Sequence, residues 1–116
     1  MSEIPAAPFQ FINVIEIDAD GVDEFLEGFV ERSRRMRSAE GYIAGNLYRE
    51  IPNDTRPTDF RLVNVSHWTS RAAFEAATSN PEYRENLDKL LGRLRGRMTT
   101  HGGYYELAVH SDPISA

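Results

Sequence analysis

The chain has 116 residues, of which 41% are hydrophobic and 27% charged, proportions that are ordinary for a globular domain with a single core. Its formal net charge of −5 argues against nucleic acid or an anionic membrane as the main partner. It has no cysteine, which excludes a disulfide framework, thiolate chemistry and a cysteine-ligated metal.

The sequence shows neither a secretory signal nor a membrane span. The first residues, MSEIPAAPFQF, lack a basic region followed by an apolar one, and no apolar run approaches the ~20 residues that cross a bilayer. We therefore expect a cytoplasmic protein without a membrane partner.

The first predicted elements are a strand and an amphipathic helix. After a loose tail over 1–8, residues 9–17 alternate between two faces, which predicts a strand. A turn leads into a helix over 22–37, with Asp20 as its N-cap. The stripe of this helix that faces the core consists of Val22, Phe25, Leu26, Phe29, Val30, Ser33 and Met36.

Two further strands follow this helix. Residues 42–50, YIAGNLYRE, predict the second strand, and residues 60–69, which include LVNVSHW, predict the third. The segment between them, 51–59, is a loop by its composition of proline, aspartate and asparagine.

The second half of the chain predicts two helices in succession. Ser70 caps a short helix, RAAFEAATS, and the sequence SNP then interrupts it. The next helix has Ser79 or Asn80 as its cap and Pro81 at its first position, and it runs to about Met98.

A last strand over 101–110, HGGYYELAVH, completes one folded domain over 9–110, and a short tail follows over 111–116. The order of elements is β-α-β-β-α-β. This order predicts an α+β, ferredoxin-like fold with one four-stranded antiparallel sheet, in which the first and third strands lie side by side.

The sheet needs a cover for each of its apolar faces, and two helices can cover only one of them. The other face carries Ile12 and Val14 from the first strand and Val63 and Val65 from the third. This surface is too apolar to be left in water, so we expect a homodimer in which two sheets pack face to face.

The third strand places an amide at the centre of an apolar face. Asn64 lies two residues before Ser66 and four before Trp68, and Asn13 has the same position on the first strand. A buried amide without a partner costs about 1–3 kcal/mol. Either the two amides line a cavity between sheet and helices, with Trp68 as its wall, or each bonds to a loop carbonyl and Trp68 is core.

Arg84 is the cation best placed to reach such a cavity. It lies three residues before Leu87, at the border of the apolar stripe of the last helix. The alternative is a surface arginine paired with a nearby acid. Arg93, Arg95 and Arg97 are assigned to a solvated face.

No metal site is predicted. The three histidines, His67, His101 and His110, show no spacing typical of metal ligands, and His67 points to the side of the sheet opposite Asn64. The sequence DADG at 18–21 lacks the later acidic positions of a calcium loop.

These residues resemble those of a known family. A strand that ends in Trp, a Ser-capped helix containing Phe, and a helix that begins with PEYR are found together in LVNVSHWTSRAAFEAATSNPEYRENL. With GYIAGNLYRE and YYELAVH, these stretches make the chain similar to antibiotic biosynthesis monooxygenases over about 9–109. The resemblance implies a dimeric α+β barrel of ferredoxin-like subunits.

One branch of that family forms quinones with dioxygen and without a cofactor, acting on small aromatic polyketides. The resemblance implies that Asn64, Trp68 and Arg84 are the catalytic set here, with Asn13 holding a substrate carbonyl. The pocket tyrosine of the branch falls on Phe74 in this chain, which is a departure from its pattern.

A second branch degrades haem, and Asn13 and Trp68 match its pattern as well. The position of its iron-ligating histidine falls on Leu87, which has no donor atom for an axial ligand and so becomes a substrate-side residue. A third reading is a dimer that binds a small molecule without catalysis.

Overall fold

The computed structural model describes residues 8–51, 60–94 and 96–114. Within these ranges the chain forms four strands and four helices, in the order β1 (Phe9–Ile17), α1 (Ala19–Glu27), α2 (Phe29–Ser38), β2 (Tyr42–Arg49), β3 (Phe60–Trp68), α3 (Arg71–Thr78), α4 (Pro81–Arg93) and β4 (Met98–Tyr105). The tail predicted over 1–8 and the loop predicted over 51–59 lie almost wholly outside the described residues.

The four strands form one antiparallel sheet with the order β2-β3-β1-β4. The central strand β1 pairs with β3 on one side and with β4 on the other. This topology confirms the ferredoxin-like α+β fold and the predicted adjacency of the first and third strands. The predicted bounds of β1 are confirmed, and those of β2 and β3 agree to within one residue. The bounds predicted for the last strand, 101–110, are wrong, because β4 spans Met98–Tyr105.

The helices cover one face of the sheet, where the apolar residues form two separate groups. The first apolar cluster consists of Ile15, Ile17, Val22, Phe25, Leu62, Leu90 and Leu94. The aromatic cluster consists of Phe9, Trp68 and Phe74, with Phe11 and Tyr42 packed against it. Each large side chain buried in this way stabilises the fold by about 1.5–3 kcal/mol.

The single helix predicted over 22–37 is wrong, because the segment forms two helices that meet at Gly28. In an unbroken helix the Phe25 carbonyl would accept from the N–H four residues later. Here Nη2 of Arg32 donates to that carbonyl at 2.6 Å, and the guanidinium lies 5.0 Å from the centre of the Phe25 ring. Of the predicted stripe, Val30 is 66% exposed, whereas Phe29, Ser33 and Met36 are half-buried.

The predicted cap of the first helix is also wrong. The N-cap is Asp18 rather than Asp20, and its Oδ1 accepts from the Gly21 N–H at 2.8 Å. Arg97 forms two hydrogen bonds with the same carboxylate, from Nε at 3.1 Å and from Nη2 at 3.3 Å. Arg97 therefore joins the start of α1 to the start of β4, a role that differs from the predicted solvated face.

Helix α4 ends at Arg93, five residues before the predicted end at Met98. Gly96 has a φ of +77°, a left-handed conformation that favours glycine and terminates helices. Met98 begins β4 and packs against the first apolar cluster. The predicted caps Ser70 and Asn80 are confirmed, since each accepts from backbone N–H groups of the helix that follows it.

The outer face of the sheet carries the four residues on which the dimer prediction rests. Ile12, Val14, Val63 and Val65 are half-buried, and no described helix contributes to an apolar cluster on that side. Among the described residues, no helix has the length and apolar character needed to span a bilayer.

Candidate functional site

Asn13 and Asn64 face each other directly in the register of β1 and β3, at the middle of the sheet face that the helices cover. Ile15 and Leu62 of the first apolar cluster flank the pair on one side, and the aromatic cluster flanks it on the other. Both asparagines keep partial exposure, although residues of both clusters are buried. The two partly exposed amides therefore lie between two apolar clusters on the face of the sheet that the helices cover, a region that we call the central recess.

The carboxamide oxygen of Asn13 is an unusual feature of the recess. Oδ1 is buried and has no hydrogen-bond partner among the described residues. Burial of an acceptor without a partner costs about 1–3 kcal/mol, so we expect an apolar side chain of similar size at this position to stabilise the free protein. Such a cost is typical of a position that serves a ligand.

Trp68 forms one wall beside the recess and is fully buried. Its ring contacts those of Tyr42 and Phe74 edge to face, with centroid separations of 5.2 and 5.5 Å. Its indole Nε1–H donates to the Ser66 hydroxyl oxygen at 3.0 Å. The N–H is thus already engaged within the protein, and the hydroxyl proton of Ser66 is left to donate.

Phe74 lies at the centre of the aromatic cluster. Its ring stacks on that of Phe11 with centroids 4.6 Å apart, and it also contacts Phe9 and Tyr104. The hydroxyl of Tyr104 donates to Glu75 and lies near Arg71, whose guanidinium is 4.8 Å from the Tyr104 ring. Phe74 therefore supplies an apolar wall and no polar group.

Arg84 is not brought together with the two amides and the indole. Its side chain is exposed on α4, whereas that of the preceding residue, Tyr83, turns inward. Burial raises the pKa of Tyr83, and the charges of Arg84 and Arg32 act in the opposite direction. Arg84 thus lies at the surface, beside an inward tyrosine.

Leu87 is half-buried on α4, one turn after Tyr83. A haem group would need an axial donor here, and α4, which is PEYRENLDKLLGR, contains no histidine, cysteine or methionine. The inward Tyr83 could ligate iron only as a phenolate, and burial raises the pKa of Tyr83, so the residues of α4 do not favour haem iron. In the part of the chain that is described, no three His, Cys, Asp or Glu side chains are grouped as metal ligands.

The sequence interpretation missed Tyr42 as a residue near the site. A Cβ atom on Gly45 would lie 2.5 Å from the Tyr42 hydroxyl oxygen, so the absence of a side chain at Gly45 makes room for the phenol. Gly45 is the register partner of Ser66, and burial raises the pKa of Tyr42. Strand alternation would place Tyr42 and Gly45 on opposite faces, and the register shift between Tyr42 and Ala44 brings them together, so the sequence pattern could not have revealed this contact.

A separate groove of about 530 Å³ lies beside the break between α1 and α2. Its lining consists of Glu24, Glu27, Gly28, Arg32 and Arg93. Its two arginines are engaged, Arg32 with the Phe25 carbonyl and Arg93 with Glu24 at 3.4 Å. Burial lowers the pKa of Arg32, and the nearby charge of Arg93 acts in the same direction. The lining residues all lie on or between helices, away from the two asparagines.

The fold and the recess define a small α+β domain of the ferredoxin-like class, with a polar centre between sheet and helices. The profile of the family "antibiotic biosynthesis monooxygenase" matches residues 8–89. The chain belongs to this family. No protein of curated function matches it in sequence at a significant level.

Solved structures share the fold at low sequence identity. The chain is similar to SnoaB, a cofactor-independent oxygenase from Streptomyces nogalater, with 20% identity, a TM-score of 0.66, and coverage of 93% of this chain and 99% of that one. It is also similar to a dimeric ferredoxin-like protein from an uncultured marine organism, with 14% identity and a TM-score of 0.71, and the match covers 90% of this chain and 99% of that one. A conserved protein from Methanosarcina mazei shares 17% identity with a TM-score of 0.68, and the match covers 87% of this chain and 94% of that one.

Proposed function

We propose that this chain is a cofactor-independent monooxygenase that oxidises a polyketide-like aromatic molecule with dioxygen, converting a phenolic ring to a quinone. For an anthrone-like substrate, the ring methylene becomes a carbonyl. One atom of dioxygen enters the product and the other leaves as water with the two methylene hydrogens. The substrate itself supplies all four electrons that reduce dioxygen, so no external reductant is required.

The opposed pair Asn13–Asn64 is the observation that carries the proposal. A ring substrate needs apolar surface on its faces and a few directed polar groups at its reacting edge. The central recess offers both, because the amides lie between the first apolar cluster and the aromatic cluster. Membership of the monooxygenase family supports the same chemistry.

The protein has three tasks in such a reaction. It must favour the ionised substrate, hold dioxygen at the reacting carbon, and keep water away from the peroxide that forms. In this proposal the amide N–H of Asn64 stabilises the negative charge that develops on substrate or peroxide oxygen. Trp68 excludes water and orients the Ser66 hydroxyl, which is the donor available beside it.

Arg84 acts from the surface in this scheme. An exposed guanidinium attracts an anionic substrate and concentrates it near the helices. The charge of Arg84 also acts on its inward neighbour Tyr83, whose pKa it lowers against the larger effect of burial. Its contribution should therefore appear mainly in KM and should fall as salt rises.

The active form in this proposal is a homodimer. The half-buried valines and Ile12 on the outer face of the sheet support it, as does the likeness to a dimeric ferredoxin-like protein. Each subunit holds its own recess, because the recess faces the helices and the proposed interface is on the opposite side of the sheet.

Oxygen uptake with dithranol, an anthrone, tests the function. We expect one O₂ consumed per substrate, with ¹⁸O from ¹⁸O₂ in the new carbonyl. Asn64→Ala should lower kcat by about 10²-fold, as loss of a single charge-stabilising donor does. The matched control is Asn86→Ala, which removes an exposed amide from α4 and should leave the rate unchanged. Uptake by the wild type no faster than that of the buffer would reject the proposal.

Two results would favour the other readings. Tight binding of an aromatic ligand without oxygen uptake would indicate a non-catalytic binding dimer. A shifted Soret band on titration with haemin would indicate haem binding and favour a haem-degrading role, although Leu87 offers no axial ligand for the iron.

A further inference from the structure

The central recess extends across three strands. Asn64, Asn13 and Gly102 are register partners in β3, β1 and β4, so they form one row on the side that faces the helices. The row thus contains two amides and, at its third position, no side chain. A glycine within a strand often marks a place where another group approaches the backbone closely.

Gly102 provides space that is filled at present by Phe11. A Cβ atom at position 102 would lie 2.8 Å from Cζ of Phe11, 3.0 Å from Cε1 of that ring and 3.8 Å from Oδ1 of Asn13. The tip of the Phe11 ring therefore rests over Gly102, next to the unpaired oxygen. Phe11 is only half-buried and belongs to the outer part of the aromatic cluster.

The unpaired oxygen specifies the chemistry of a ligand. Oδ1 of Asn13 can only accept a hydrogen bond, so its partner must bring a donor. The surroundings are aromatic, which favours a donor carried by a flat apolar molecule. A ring that takes the place of the Phe11 tip over Gly102 brings a substituent on its edge to Oδ1.

We propose that Asn13 and Gly102 form a slot that selects aromatic ligands carrying a protonated hydroxyl group on the ring edge. The inference rests on the proposed function for the location of the site, and it specifies the class of substrate: a ring with a hydroxyl group that stays protonated, in addition to the part that reacts. Asn13 accepts from that hydroxyl, and Gly102 admits the ring edge.

Binding of a matched pair of probes tests the slot without turnover. The probes are 2-hydroxyanthraquinone and 2-methoxyanthraquinone, which differ by one donor and are already oxidised. Quenching of the single tryptophan, Trp68, reports binding, and calorimetry checks it. At about pH 6, where the hydroxyl is protonated, the wild type should bind the hydroxyl probe about tenfold more tightly, the effect of one hydrogen bond.

Variants separate the two parts of the slot. Asn13→Leu should bind the hydroxyl and methoxy probes about equally, whereas Asn13→Asp, which retains an acceptor, should preserve the preference for the hydroxyl probe. Gly102→Ala should raise the Kd of both probes by about tenfold and leave the ratio of the two Kd values unchanged, because the added methyl group fills the slot. Gly103→Ala is the control, because Gly103 lies on the opposite face and the three atoms nearest to its added Cβ would belong to the movable Tyr105 side chain.

The outcomes are distinct from those of the oxygenase test. A preference that persists in Asn13→Leu, or equal binding of the two probes by the wild type, overturns the slot. The melting temperature of Asn13→Leu gives a second measurement: it should rise by several degrees, and a fall would show that the oxygen is already bonded in the free protein. Selective binding without oxygen uptake would uphold the slot and reject only the oxygenase.

Discussion

At the scale of single residues, the unpaired oxygen of Asn13 has a consequence for stability. Asn13→Leu removes a buried acceptor that has no partner among the described residues and adds apolar surface between the two clusters. We expect the free energy of unfolding to rise by about 1–2 kcal/mol. Urea denaturation followed by tryptophan fluorescence measures it. The control Asn86→Leu, at an exposed position of α4, should change it by less than about 0.5 kcal/mol.

Asp18 gives a prediction for pH at the same scale. The hydrogen bonds from Arg97 lower the pKa of Asp18 below its ordinary value of 3.8. A carboxyl whose pKa is lower in the folded than in the unfolded protein stabilises the fold at any pH above the unfolded-state pKa. This stabilisation is lost as the pH falls through the folded-state pKa. Asp18→Asn keeps an N-cap but removes the charge. Wild type should be more stable at pH 7, and the difference should vanish as pH falls below about 3.8. Thermal melts of both proteins from pH 7 to pH 2 check the sign, and a difference that grows on acidification would contradict it.

The site residues show what a sequence can and cannot reveal at this scale. The placement of Asn13 and Asn64 on one face of neighbouring strands could be predicted, because strand side chains alternate with a fixed period of two and the topology makes β1 and β3 neighbours. Their direct pairing could not, because it depends on the register of the two strands. The direction of Arg84 could not, because a long flexible side chain at the border of a helix stripe can turn either way. The engagement of the Trp68 N–H with Ser66 depends on rotamers that periodicity does not specify.

At the scale of elements, the first three strands were predicted better than the first and last helices and the fourth strand. Residues 9–17 form β1 with the predicted bounds because a strand with one buried face tolerates no shift of one residue. An apolar helical stripe tolerates a break, because both halves can keep their apolar sides on the core. The division at Gly28 therefore left the stripe pattern nearly intact, and the side-chain bond from Arg32 to Phe25 that accompanies the break has no sequence signal.

The end of α4 can be tested with two glycines that differ only in backbone conformation. Both Gly92 and Gly96 have open space where a Cβ would be placed, but Gly92 is helical and Gly96 has a φ of +77°. Gly92→Ala should stabilise the protein by about 0.5–1 kcal/mol through helix propensity, whereas Gly96→Ala should destabilise it by about 1–2 kcal/mol. Chemical denaturation of the pair measures both, and equal shifts would show that α4 continues past Arg93 in solution.

At the scale of the whole molecule, the two faces of the sheet differ in the residues they carry and in what covers them. The helix-facing side carries the two asparagines and both apolar clusters, and the outer side carries valines that no described helix covers. Exposed tyrosines, Tyr48 and Tyr105, lie on that outer side, in register with Val63 and Gln10. An apolar face rimmed by aromatic residues is typical of an interface between subunits.

The proposed homodimer leads to a prediction about this outer face. Val65→Glu places a charge at its centre, where two packed sheets would bury it without a partner, at a cost of several kcal/mol per dimer. The variant should elute as a folded monomer in size-exclusion chromatography with light scattering, whereas the wild type should elute as a dimer. Val30→Glu, at an exposed position of α2 on the other side of the domain, is the matched control and should stay dimeric. Because the recess faces the helices, the monomeric variant should still bind the hydroxyl probe, and loss of both properties together would show that the interface also shapes the site.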